Sequence, residues 1–242
     1  MRAPALEVDG VVAGYGALTI LNGLTFTVTP GTITTLIGAN GAGKSTVFKT
    51  LFGLVRARAG RVTLADQDVT NRAPREMLAR GVVYVPQGRN LFPQLSVRHN
   101  LELGGVTLPR AELPARVARV LERFPRIRER ADSQASTLSG GEQKMLEIGR
   151  ALLLDPKVLL IDEPSIGLSP KITAEVFALI RTLARTGVTV LMVEQNVRSA
   201  LKISDRAIAL EGGRVALEGQ GEALLDDPRI KSLYLGGHVA AV

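Results

Sequence analysis

The feature that most constrains this chain is the run Gly38-Ala39-Asn40-Gly41-Ala42-Gly43-Lys44-Ser45, an uninterrupted G-x-x-x-x-G-K-[ST]. It follows a β-rich stretch at 32–37 and opens a stretch at 44–54 where Val47, Phe48, Leu51 and Phe52 fall near helical spacing. Strand, glycine loop and helix in that order make a phosphate cradle. The glycines let successive backbone N–H groups curl around phosphate oxygens, and the helix N-terminus adds its dipole. Lys44 is expected to reach the β- and γ-phosphates, Ser45 to ligate Mg2+, and Thr46 to cap the helix or bind phosphate. By itself the motif does not choose among transporters, motors, kinases and G proteins.

Two further runs supply chemistry. Val158-Leu159-Leu160-Ile161 reads as a buried strand that ends in Asp162-Glu163-Pro164. Ligands in open α/β sheets sit at the carboxyl ends of strands. Asp162 is therefore expected to help hold Mg2+, directly or through water, and Glu163 to polarise an attacking water. Ser139, Gly140 and Gly141 precede a strongly helical run at 144–154. They offer a hydroxyl, bare backbone and a helix N-terminus, a second anion site.

The 242 residues suit one α/β domain with a small insertion. Strands are expected at 6–12 (broken by Gly14, Tyr15 and Gly16), 24–28, 32–37, 61–64 after a loop ended by Gly60, and 81–85, with a helix at 73–80. From 90 to about 157 β-branched runs vanish and Arg, Glu, Leu and Ala dominate; helices are expected at 97–103, 113–124 and 140–154. The α/β pattern resumes with strands at 158–161 and 188–193, helices at 170–185 and 196–203, a hairpin of 206–210 with 214–217, and a helical tail at 221–235. The alternation predicts a mostly parallel central sheet, and the polar-alternating early and late strands predict an added antiparallel layer. We expect a single domain, 1–242, with a core from 1–89 and 158–242 and a helical subdomain at 90–157.

Composition excludes several chemistries. There are no cysteines, which removes disulfides, thiolate metal sites and thiol catalysis. His99 and His238 lie far apart and are assigned no catalytic or metal role. A net charge of +7 suits an anionic partner, but the charge is spread out and no dense basic block reads as a nucleic-acid tail. No targeting signal is read at the start, and no stretch approaches the ~18 apolar residues of a membrane span. Solubility is expected, with any attachment to a membrane made through another chain.

Taken together, the motifs resemble those of the nucleotide-binding subunit of ATP-binding-cassette transporters. The run 38–45 looks like its Walker A loop, 139–142 like its signature, and 158–163 like its Walker B strand with catalytic glutamate. Gln87, after the strand at 82–85, fits the Q-loop glutamine, and Tyr15 the aromatic that stacks on adenine. The resemblance implies a P-loop nucleoside-triphosphate-hydrolase core. It also implies a site shared between two subunits: Lys44, Ser45, Gln87, Asp162 and Glu163 from one, and Ser139, Gly140 and Gly141 from the other. ATP and Mg2+ are the implied cofactors, with Gln87 as a further Mg2+ contact, and hydrolysis would drive two transmembrane permeases at the cytoplasmic face of a bacterial or archaeal membrane.

Two positions depart from the broad family. Gln195 stands where a histidine is usual, and Ser169 where the loop after Glu163 usually carries aspartate. Val193-Glu194-Gln195-Asn196, Phe124-Pro125-Arg126-Ile127, Glu147-Ile148-Gly149-Arg150-Ala151 and Tyr234-Leu235-Gly236-Gly237 are similar to the short ATP-binding subunit of the high-affinity branched-chain amino-acid importer, where glutamine at position 195 is normal. That resemblance implies Gln195 in the catalytic set, a second and different ATPase subunit (a homodimer remaining open), a periplasmic or extracellular binding protein acting indirectly, and no direct nucleic-acid partner. Urea, amides or lipopolysaccharide as cargo, and a non-transport ATPase acting on nucleic acid or ribosomes, remain the alternatives. Leu91, Phe92, Pro93 and Leu95 form an apolar loop patch suited to receive a helix of a membrane subunit.

Overall fold

The computed structural model describes residues 5–88 and 90–230. Six strands form the main sheet, in spatial order β10 (Arg214–Gly219), β9 (Arg206–Glu211), β3 (Ile33–Ile37), β8 (Thr189–Val193), β7 (Val158–Asp162) and β6 (Val82–Val85). From β9 to β6 the pairing is parallel, and β10 joins β9 antiparallel. A second, four-stranded sheet runs β2 (Leu18–Val28), β1 (Leu6–Tyr15), β4 (Ala57–Leu64) and β5 (Gln67–Asp68), all antiparallel. This is the α/β, mostly parallel P-loop hydrolase architecture with an antiparallel layer.

Strands β3, β7 and β8 are buried throughout. Being covered on both faces, β7 and β8 read as near-continuous apolar runs rather than as alternation, while β3 buries Thr34 and Thr35 between its apolar residues. The side chains still alternate. Leu36, Leu160, Leu191 and Val193 face helix α1 (Lys44–Leu51) and the antiparallel sheet. Leu159, Ile161, Val190 and Met192 face α6 (Gly140–Leu152) and α7 (Pro170–Arg185). The parallel sheet is thus held between an antiparallel layer and a helical one.

After α2 (Pro74–Ala79), helices α3 (Val97–Gly104), α4 (Leu113–Arg123), α5 (Pro125–Arg128) and α6 all fall between β6 and β7. Val117, Val120 and Leu121 give α4 its buried stripe, and they join Leu101, Leu146 and Ile148 in one core continuous with the sheet. Beyond β8, α8 (Val197–Leu201) and α9 (Gly221–Leu224) pack on Ile37, Ala207 and Ala209.

Several boundaries differ from the sequence expectation. Gly14 and Tyr15 do not break β1; they are its last residues, and Tyr15 pairs with Leu18 across a two-residue turn. Gly60 ends no loop. It lies inside β4 at a bulge, at φ +83°, where a Cβ would sit 2.4 Å from the Gly10 carbonyl. The late hairpin joins the edge of the parallel sheet instead of the antiparallel layer, because β9 pairs with β3. Its turn is pinned across to β2 by Asn22, which donates through its N–H to Gly213 O (3.0 Å) and through its side chain to Gly212 O (2.9 Å). The tail helix ends at Leu224. Residues 225–227 interrupt it and a helical turn resumes at 228–230; the remainder of the expected helix, 231–235, together with Gly236, Gly237 and His238, lies outside the described residues.

Candidate active site

The loop after β3 is shaped by its own backbone. Ala42 N–H donates to Ala39 O (3.1 Å), and Gly43, at φ +102°, sits at the N-cap of α1 without a capping side chain. A Cβ there would meet Leu21 at 3.0 Å, so both conformation and space select glycine. Ala39, Asn40 and Gly41 form the exposed crest, and Thr46 is buried in the first helical turn. Lys44 is buried, and its Nζ donates to Gly38 O (2.7 Å) and Ala39 O (3.0 Å). Burial lowers its pKa, opposed by the nearby Glu163 and Asp162 carboxylates.

Asp162 closes β7 beside this lysine. Its Oδ2 accepts from the Tyr84 hydroxyl (3.2 Å), while its Oδ1 is buried with no hydrogen-bond partner. Burial raises the Asp162 pKa; hydrogen bonds from Ser45 and Tyr84 oppose it. Tyr84 is itself raised by burial and by Asp162, and it is fixed edge-on against Phe48 at 5.9 Å. An orphaned carboxylate oxygen next to a hydroxyl and flanked by oxygen donors is a set that suits a hard divalent cation such as Mg2+.

Glu163 follows at φ +50°, a left-handed conformation uncommon for a residue with a side chain. Its N–H donates to Val193 O (2.9 Å). Its side chain is held from two directions: Gln87 Nε2 donates to Oε2 (2.7 Å) and Gln195 Nε2 to Oε1 (2.9 Å). Gln195 also reaches Asn40 Oδ1 at 3.5 Å. Residues expected from four separate stretches of sequence therefore converge: Lys44 and Ser45, Gln87, Asp162 with Glu163, and Gln195. Tyr15 ends β1 half-exposed, with Lys49 Nζ 6.0 Å from its ring centroid.

Ser139, Gly140 and Gly141 lie elsewhere, at the start of α6. Ser139 and Glu142 form a reciprocal capping box, Ser139 N–H donating to Glu142 Oε2 (2.8 Å). Gly141 allows close approach of α7, since a Cβ there would meet Ile172 Cγ2 at 2.5 Å. Ser169 caps α7, accepting from Ile172 N–H at 3.5 Å. Asp and Ser serve about equally well as N-caps, so this departure from the usual aspartate preserves the helix start.

The sequence reading missed Tyr84 and Glu194. Tyr84 could have been found as the one hydroxyl in an otherwise apolar strand. Glu194 could have been found as a carboxylate continuing an apolar run, where an unpartnered charge would be costly.

The chain belongs to the ATPase family of ABC transporters: residues 21–166 match the family described as ABC transporter. It is a transport-coupled, ATP-binding ATPase. Among characterised relatives it is similar to the high-affinity branched-chain amino acid transport ATP-binding protein BraG of Pseudomonas aeruginosa, 44% identical over 96% of this chain and 100% of that protein. It is also similar to the lipopolysaccharide export system ATP-binding protein LptB of Acidithiobacillus ferridurans, 34% identical over 96% of each. The crystal structure of the ADP conformation of an ATP-binding cassette of an ABC transporter matches with a TM-score of 0.88 at 29% identity, covering 97% of this chain and 100% of that one. Among the described residues no helix is long and apolar enough to cross a membrane.

Proposed function

We propose that this chain hydrolyses ATP to power import of branched-chain or similar hydrophobic amino acids through two partner permeases, from the cytoplasmic face of the membrane. The observation that carries the chemistry is Glu163, a buried carboxylate held by two amides next to Lys44 and the unpartnered oxygen of Asp162. Lys44 turns from the loop carbonyls to the β- and γ-phosphates, and the backbone of Gly38, Ala39, Asn40, Gly41, Ala42 and Gly43, with Thr46, completes the cradle. Ser45 and Asp162, with Gln87, would hold Mg2+, which would supply positive charge against that of the phosphates. Glu163 orients the water for in-line attack on the γ-phosphorus, and Gln195 fixes Glu163. Tyr15 stacks on the adenine.

Ser139, Gly140 and Gly141 serve the ATP of a second subunit, which we read as a different ATPase chain. A site lacking its anion-binding helix start is incomplete until two subunits close on the nucleotide. Residues 90–157 act as a helical subdomain that moves with the permeases, in line with their change of composition and their position between β6 and β7. A binding protein outside the cell delivers the cargo.

Cargo identity rests on the 44% identity to a branched-chain importer subunit, since no residue of the site touches cargo. The test is ATP-driven uptake in vesicles containing the chain with its permeases, second ATPase and binding protein. Labelled leucine, isoleucine or valine is expected to accumulate. Accumulation of urea or an amide instead would reassign the cargo, and no ATP-dependent uptake at all would remove the transport reading.

A further inference from the structure

Glu194 is 1% exposed at the end of β8, and its carboxylate accepts four hydrogen bonds. Oε1 takes the N–H of Ser165 (2.8 Å). Oε2 takes the Ser165 hydroxyl (2.8 Å), the N–H of Gln195 (3.1 Å) and the N–H of Asn196 (3.3 Å). Every partner is a donor, so the group acts only as an acceptor and is satisfied on both oxygens. Two of the four donors belong to Ser165, two residues beyond Glu163. The other two belong to the segment that carries the Gln195 side chain to Glu163.

We propose that Glu194 is a positioning residue for hydrolysis, a buried clamp that fixes the loop after Glu163 against the loop of Gln195 and so sets the Gln195–Glu163 contact. The inference rests on the reading of Glu163 as the group that orients water. Without the clamp, two loops at the ends of neighbouring strands β7 and β8 would be joined at this level chiefly by the single Gln195–Glu163 bond and the Glu163 N–H to Val193 O bond. The phosphate cradle is built from a different loop, after β3. Glu194 therefore governs turnover rather than nucleotide affinity.

An amide in place of the carboxylate cannot reproduce the clamp. A glutamine nitrogen at the Oε1 position would face the Ser165 N–H, and at the Oε2 position it would face three donors. One loop must yield in either case. The chemistry also explains why a carboxylate is kept where burial opposes ionisation: burial raises the Glu194 pKa, and the hydrogen bonds from Ser165, Asn196 and Gln195 oppose that rise.

The experiment is steady-state ATP hydrolysis by the assembled transporter for Glu194→Gln, Ser165→Ala, Gln195→Ala and the Glu194→Gln/Gln195→Ala pair, with thermal unfolding of each and Glu163→Gln alongside. Glu194→Gln is expected to lower kcat about tenfold or more while KM for ATP stays within about twofold. The double variant is expected to be no slower than the slower single one, because both lesions act through one contact. Unchanged kcat in Glu194→Gln, or losses that multiply in the double variant, would overturn the clamp. If Glu194→Gln does not fold, Ser165→Ala decides: a fall of about threefold in kcat at constant KM sustains the proposal and wild-type kcat overturns it. Full turnover by Glu163→Gln would instead overturn the underlying reading of the site; its loss alongside an unaffected Glu194→Gln would sink the clamp alone.

Discussion

Gln87 and Glu163, 76 residues apart in the chain, meet through a 2.7 Å hydrogen bond from the Gln87 amide to Glu163 Oε2. Gln87 follows β6 and leads directly toward the helices at 90–157. A displacement of those helices would therefore pull on a side chain bonded to Glu163, the carboxylate proposed to orient water. Gln195 holds the other oxygen from the loop after β8. Glu163 is thereby tied both to the segment that leads into the helices after β6 and to the loop after β8, which also reaches Asn40 on the phosphate-loop crest.

Glu163→Gln is expected to keep ATP binding and to stop steady-state turnover, because an amide cannot accept a proton from attacking water. Lys44→Ala is expected to weaken ATP binding, since a charge-assisted bond of about 1.5–3 kcal/mol is lost, roughly tenfold to a hundredfold in affinity. Nucleotide titration and phosphate release on both variants check the pair. Wild-type hydrolysis by Glu163→Gln would remove Glu163 from its assigned role.

Tyr15→Ala is expected to lower ATP affinity about fivefold to a hundredfold, the range of a lost base-stacking platform of about 1–3 kcal/mol. Tyr15→Phe keeps the ring and is expected to keep the affinity. The ring is half-exposed at the end of β1, so the alanine variant should unfold within a few degrees of wild type. Equal loss in both variants would point to the hydroxyl instead of the ring.

The placement of the phosphate loop, the acidic pair and the helix start at Ser139 is legible in the sequence. Each is contiguous in the chain, so spacing alone exposes it. The convergence of Gln87 and Gln195 on Glu163 needs the parallel order β8, β7, β6, which periodicity does not supply; the resemblance supplied both glutamines. Gly60 was misread because a bulge glycine and a loop glycine look alike locally, and only the approach of Gly10 from β1 separates them. Glu194 is not legible from the sequence because two of its four donors belong to Ser165, on the loop after a different strand. The late hairpin was misplaced because pairing of β9 with β3 spans about the whole domain.

Ser139→Ala is expected to separate stability from assembly. Loss of the cap costs about 1 kcal/mol, seen in thermal unfolding of the single chain. Glu142 contributes through the same box. Burial opposes its ionisation, yet the Ser139 hydroxyl and N–H bring its pKa below the ordinary value, helped by Arg130 and Arg126. A depressed carboxylate stabilises the fold above its unfolded pKa of about 4.3 and loses that contribution as pH falls through the folded value. The difference in melting temperature between wild type and Ser139→Ala should therefore shrink below about pH 4, and a constant difference would show that the Glu142 half of the box is idle. ATP-dependent association, followed by light scattering in the Glu163→Gln background, should fall further than this small stability loss explains.

Gln195 allows the sharpest test of how the site closes. A histidine there would titrate near its reference pKa of about 6.5 and leave an inflection in turnover. The amide has no such equilibrium, so its contribution is a hydrogen bond and a position. Its 2.9 Å bond joins the amide of an exposed residue to the buried carboxylate of Glu163 at Oε1. Removing it with Gln195→Ala should cost about 1.5–3 kcal/mol, or about one to two powers of ten in kcat. Gln195→His should retain substantial activity, because an imidazole N–H can replace the amide donor, and it should add a pH dependence between about 6 and 7.5 that wild type lacks. Turnover of the assembled transporter from pH 6 to 9 for the three proteins decides. Full activity in Gln195→Ala would make Gln195 a bystander and leave Gln87 as the group that holds Glu163. Activity confined to Gln195→His would make the native chain an ATP-dependent clamp in which the second subunit supplies hydrolysis.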